Sequence, residues 1–366
     1  MPKLPYSDDG NAWMRGLDDE IARADADDVK LVGLLLERAS IRGMLEDYTR
    51  ARARAQVAVD KRPTDIGALG ALGRAQLATH AFDGLRATIA TLAKLDAQKA
   101  LDELQLGLDQ ATGSLEIVLA ARKARVDMFP DAVSVTLYAA TLGEAGRAAE
   151  GIALIPTAVE HLRNNTPPYF AWLLFQWGLL HEQAGAIATA RDFYAEAHRR
   201  LPSHVEATVH LAEALVATGD RKGAAALVAV DADRHPSLLA VAASLSPDAP
   251  AVTAATDAWE RYVTELPAAF ADHAARWHLG PGNNAARALV LARINRAVRD
   301  TPASRGLVID AALAAGDTAG ACAEVGTLIS AGPRRERFQA WRALTACGRT
   351  KDADRLAREL GITGAH

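Results

Sequence analysis

Apolar residues recur along this chain at three- and four-residue steps, in runs that stop at a glycine or a proline. That period gathers apolar side chains on one face of an α-helix. The clearest run starts at Ala171 and reads AWLLFQWGLLHEQAGAIATARDFYAEAHRRLPSH. It predicts a helix ending at Gly185, a short turn, a second alanine-rich helix, and a stop at Pro202. Thirty-four residues on, the same grammar returns, with Gly219 for Gly185, Ala224 for Ala190 and Pro236 for Pro202. Glycine tolerates the left-handed conformation that ends a helix, and proline cannot continue one. Small residues such as Ala190 and Ala197 fall where the two helices must cross closely.

Leu174, Trp177, Gly178, His181, Ala190, Tyr194, Ala197 and Pro202 stand at the signature positions of a known repeat, and the block resembles the tetratricopeptide repeat family. That family usually has Tyr or Leu where His181 stands, a departure that bears on local packing. Weaker copies are marked by Leu35, Ala39, Tyr48 and Pro63, by Tyr138, Leu142 and Gly146, by Val308, Gly316 and Pro333, and by Trp341, Gly348 and Ala353. The resemblance implies an all-α fold, a right-handed superhelical solenoid of antiparallel helix pairs. A cap segment is expected over 1–30, repeats over 31–245 (clearest over 171–238), and divergent repeats over 250–362. The run Ser246-Pro247-Asp248-Ala249-Pro250 is expected to mark a sub-domain boundary between them.

A single helix pair cannot bury its apolar face, so pairs stack and curl, leaving a concave surface lined by the first helix of each pair. In the resembled family that surface usually receives a peptide or a helix. The second, fifth and ninth residues of each first helix are expected to point inward: Trp172, Phe175 and Leu179 in one block, Glu206, Val209 and Glu213 in the next. They predict an apolar groove with an acidic edge, suited to an amphipathic helix. None of them is Lys or Asn, the residues with which some family members grip a terminal carboxylate. A protein–protein interaction module, an adaptor or scaffold, is therefore expected, and not an enzyme. The alternatives are a structural homo-oligomer closing through its apolar face and an enzyme with a pocket inside the superhelix.

Composition supports helices: half the residues are hydrophobic but only 5% aromatic, with alanine, the best helix former, prominent. The formal charge of −4 carries no basic excess of the kind nucleic acid needs. Arg334, Arg335 and Arg342 make the last helices locally basic, either a solvated capping face or a docking patch for an acidic partner. No secretory signal or transmembrane run is present, so a cytoplasmic location without membrane attachment is expected. His204 and His210 are six apart, not the four that puts two metal ligands on one helix face, and Gly280–Asn284 lacks the Lys-Ser/Thr of a phosphate loop. No metal and no cofactor are expected. Cys322 and Cys347 are expected as two separate small core thiols on neighbouring helices.

Overall fold

The computed structural model describes residues 1–2, 4–24, 27–229 and 235–362. Among them are twenty-two α-helices, one short 3-10 helix and no strand. A lead helix, α1 (Gly10–Arg23), precedes ten helix pairs. The first four are α2 (Asp28–Arg42) with α3 (Leu45–Lys61), α4 (Ile66–Ala78) with α5 (Phe82–Ala93), α6 (Gln98–Ala111) with α7 (Leu115–Met128), and α8 (Ala132–Glu144) with α9 (Ala148–Ala153) and α10 (Ile155–Glu160). The fifth to seventh are α11 (Pro167–Gln183) with α12 (Ile187–Arg200), α13 (Val205–Ala217) with α14 (Arg221–Ala229), and α15 (Pro236–Leu245) with α16 (Ala249–Glu265). The last three are α17 (Pro267–Leu279) with α18 (Ala285–Val298), α19 (Pro302–Ala314) with α20 (Thr318–Ala323) and the 3-10 turn Gly326–Ile329, and α21 (Arg334–Ala346) with α22 (Thr350–Leu360).

The fifth pair shows why this sequence makes such pairs. Gly185 ends the first helix at φ 80°, in the left-handed region. Gly178 lets the Tyr194 ring lie directly against the α11 backbone, where any Cβ would collide with it. Ala190 and Ala197 are fully buried on the facing side. His181, the departure from the family pattern, stacks flat on Phe193 with ring centroids 5.1 Å apart, so the imidazole fills an aromatic position. In the fourth pair the second helix breaks at Leu154, ahead of Pro156, which has no N–H to continue the ladder.

Two expectations need correction. Ser246–Pro250 is not a boundary: it is the turn between α15 and α16, and Ala243 and Ala255 on its two sides belong to one core cluster. Nor are Cys322 and Cys347 separate thiols. They form a disulfide, with Cα atoms 6.4 Å apart, linking α20 to the turn between α21 and α22. Helix stacking brings that turn beside α20, which residue spacing alone does not reveal.

The pairs wind tightly enough that the second superhelical turn rests on the first. The turn inside pair one, at Gly43, meets His235 at the start of pair seven. His80 Nδ1 in pair two lies 2.9 Å from the Ala268 carbonyl in pair eight. Gly113 of pair three meets Asp300, just before pair nine, and Gly146 of pair four meets Gly332, just before pair ten. Each turn docks on the pair six places later, so six pairs complete one revolution. The seam is also packed: the Leu45 N–H donates to Tyr262 Oη at 3.3 Å, and Tyr48 meets Phe270 edge-on. Leu45 thereby joins the core cluster of the seventh to tenth pairs.

Candidate functional site

The C-terminal ends of α4, α6, α8 and α11 face the lengths of α13, α15 and α17 and the N-terminal ends of α19 and α21 across the interior. Their inner faces line a half-open cavity of about 1040 Å³. Its wall is charged. It holds six carboxylates (Glu144, Glu182, Glu206, Glu213, Asp272 and Glu336), four guanidiniums (Arg276, Arg299, Arg334 and Arg335), and the imidazoles of His80, His210 and His273.

One wall, from α11 and α13, is acidic. Glu182 Oε2 accepts a 2.6 Å hydrogen bond from the Tyr194 hydroxyl and pairs with His210 Nδ1 at 3.0 Å. Burial pushes the Glu182 carboxyl up, but its bonds to His210 and Tyr194 and the charge of Arg335 hold it below the usual range. For His210, burial works against protonation, and the Glu182 bond with the nearby Glu206 and Glu213 outweighs it, raising the imidazole. Glu206 and Glu213 have no hydrogen bond or ion pair among the described residues. Burial pushes Glu206 up too, yet His273 and His210 beside it leave it lowered. Glu213 is raised, first by burial and then by repulsion from Glu182 and Glu206.

The facing wall, from α17 and α21, is basic. Arg276 and Arg335 make no hydrogen bond or ion pair with any described residue, although they stand close enough to repel one another. Burial lowers the Arg276 guanidinium, and the carboxylates of Asp272, Glu336 and Asp310 act on it only at a distance. Asp272 sits between His273 Nε2 at 3.8 Å and Arg299 Nη1 at 3.7 Å. Burial raises its carboxyl, and the cations around it bring it below the usual range. Glu336 has an oxygen sealed from solvent with no donor, and burial raises its carboxyl.

Of the groove residues expected from the repeat register, Leu179, Glu206, Val209 and Glu213 line this cavity. Trp172 and Phe175 do not. Phe175 is buried among Tyr194, His204 and His210, and Trp172 packs half-buried on the same core cluster. The reason is position in the superhelix: α11 meets the interior only through its last turns, with α1 packed on it, whereas α13 lines the interior along its length. The apolar groove expected there is thus core, and the open face is charged. Of the basic residues near the end, Arg334 and Arg335 line the cavity, with Arg334 also donating to the Leu360 carbonyl. Arg342 lies outside it, paired with Asp310 at 2.8 Å.

Glu182, His210, Asp272 and Arg276 were missed by register counting. A signal was present: on α13 every polar residue except Thr208 (Glu206, His210 and Glu213) falls on one stripe of an otherwise apolar helix. Among the described residues there is no cluster of three or more metal-ligating side chains, and no helix is long and apolar enough to cross a membrane.

No family model and no curated protein matches the chain. Solved structures with a similar arrangement include the Cut9–Hcn1 hetero-tetramer of the APC/C, at 12% identity and TM-score 0.45 over 95% of this chain and 83% of that one. Yeast Tom70 is similar at 10% identity and TM-score 0.35, over 97% and 100% of the two chains. A human IFIT1 dimer with PPP-AAAA is similar at 12% identity and TM-score 0.41, over 93% and 72%. Likeness at this level carries no inference about ligands. The architecture is evident from the helix pairs themselves: an all-α, tetratricopeptide-like solenoid whose second turn closes over its first.

Proposed function

We propose that the protein is a non-catalytic binding module that takes a short, extended, charged segment of a partner protein into the interior of its superhelix. The observation that carries this is the convergence of unpaired charges on one cavity. Glu206 and Glu213 come from the sixth pair, Arg276 from the eighth and Arg335 from the tenth, and none has a hydrogen-bond or ion-pair partner among the described residues. Glu213, Arg276 and Arg335 are exposed to the water of the interior and Glu206 is half-buried, so a ligand that displaces this water must pair with them.

The expectation of an amphipathic helix on an apolar face gives way to this reading. An apolar stripe laid against Glu206, Glu213 and Arg276 would strip water from them and return nothing. The cavity volume sits at the upper end of the range for enclosed ligand sites, which suits a short segment better than a long helix.

The test is a solution titration of labelled short peptides of varied composition, read by fluorescence polarisation. The comparison is Ser244→Trp, which fills the interior from a residue exposed on the cavity wall without removing a charge. Binding that weakens by about tenfold or more in this variant supports an interior site. Peptides that bind both proteins equally, or no binding to either, would remove the reading.

A further inference from the structure

We infer that the segment bound inside the superhelix is dipolar, with a basic side chain held at Glu206 and Glu213 and an acidic side chain held between Arg276 and Arg335. This rests on the interior-site reading above and adds the order of charges along the ligand.

The two walls belong to different helix pairs, and the docked seam sets the distance between them. Gly113 on Asp300 and Gly146 on Gly332 hold the later pairs against the earlier ones backbone to backbone. Arg276 therefore feels Glu213, and Arg335 feels Glu182, without closing into salt bridges. Each wall carries like charges at close quarters: Glu206 and Glu213 repel on one side, Arg276 and Arg335 on the other. Asp272 and Glu336 also stand on the second wall, so the places there open to an acidic side chain are Arg276 and Arg335, and those open to a basic one are Glu206 and Glu213.

A ligand of one sign fills only half of these places. An all-acidic segment is drawn to the arginines and repelled by Glu182, Glu206 and Glu213, and an all-basic one suffers the reverse. A segment with both signs displaces water and pairs with both walls, in a half-open space where each pair is less screened than in bulk. The like-charge repulsion left for the wrong ligand gives the selectivity.

The experiment compares three sets of labelled peptides of equal length, mixed-charge, all-acidic and all-basic, titrated at neutral pH into the full chain. Arg276→Gln/Arg335→Gln and Glu206→Gln/Glu213→Gln are titrated in parallel. Because these four side chains make no hydrogen bond or ion pair with any described residue, both variants should melt cooperatively with unchanged helicity, which circular dichroism checks. Arg276→Lys/Arg335→Lys, which keeps the charge, is the second variant should the glutamines disturb folding. The expected result is mixed-charge peptides binding about tenfold tighter than either single-sign set. The arginine variant should then shift preference toward all-basic peptides and the glutamate variant toward all-acidic ones. Binding in which single-sign sets match the mixed set, or preferences that neither variant shifts, overturns the dipolar assignment and leaves the interior site standing. No binding by any set overturns both.

Discussion

The two superhelical turns are built from the same helix pair but end their helices differently. In the first turn the leading helices α2, α4 and α8 are capped by Asp27, Asp65 and Asp131, each accepting from a backbone N–H three residues on. None of these caps is buried. At the close of the first turn and in the second, α13, α15 and α19 are capped by His204, His235 and Thr301, all buried. A carboxylate is an excellent cap in water and a costly one when desolvated. A neutral imidazole or hydroxyl satisfies the same N–H groups without placing a charge inside the fold. The inner turns divide likewise. Gly43, Gly113 and Gly146, whose pairs have a pair six places later, press on it, whereas Gly185, Gly219, Gly316 and Gly348, whose pairs have none, face open space with the same left-handed backbone.

The largest effect should come from breaking the seam at a glycine. Gly113→Ala must both hold φ near 93° and drive a Cβ into the Asp300 carbonyl. We expect a loss of about 3 kcal/mol or more from strain and overpacking together. Gly219→Ala, at φ 94° with nothing nearby, should lose only about 1 kcal/mol. Urea unfolding of the two variants measures the difference, and equal losses would show that the turns do not dock.

Acid should act next, through the buried histidine caps. Burial pushes His204 and His235 down to about 4. Their Nδ1 atoms accept from the Ala207 and Ser237 N–H groups and so cannot carry a proton. The unfolded chain binds protons at these histidines near pH 6.5 and the folded chain does not. Their stabilisation is therefore complete above that pH and drains away as pH falls toward 4, by roughly 3 kcal/mol for each. Urea midpoints across this range should decline, and His235→Asn, which keeps a cap without the titration, should flatten part of the slope. A slope unchanged by that substitution would place the acid sensitivity elsewhere.

Tyr262→Phe should be milder. It strands the buried Leu45 N–H at the seam, for a loss of about 1–2 kcal/mol in the same assay. A neutral outcome would mean that this hydrogen bond adds nothing to the docking of the turns. The smallest effect belongs to an exposed first-turn cap. Asp131→Ala should lose about 1 kcal/mol, comparable to any solvent-exposed cap. A loss larger than that of Tyr262→Phe would reverse the ranking of the two turns.

The helix pairs were legible in the sequence because their signals are local. Apolar period, Gly185 and Gly219 at turns, and Pro202 and Pro236 at helix boundaries each act within a few residues, so spacing alone reveals them. Glu206, Val209 and Glu213 could be placed on the inner face for the same reason. Trp172 and Phe175 could not, because the place of α11 in the superhelix and the packing of α1 against it decide which of its turns reach the interior. The cavity wall, the seam and the Cys322–Cys347 bond depend on how far each pair rotates against the next. Six small rotations bring Gly113 to Asp300 and Gly146 to Gly332, and no pattern within one repeat encodes their sum.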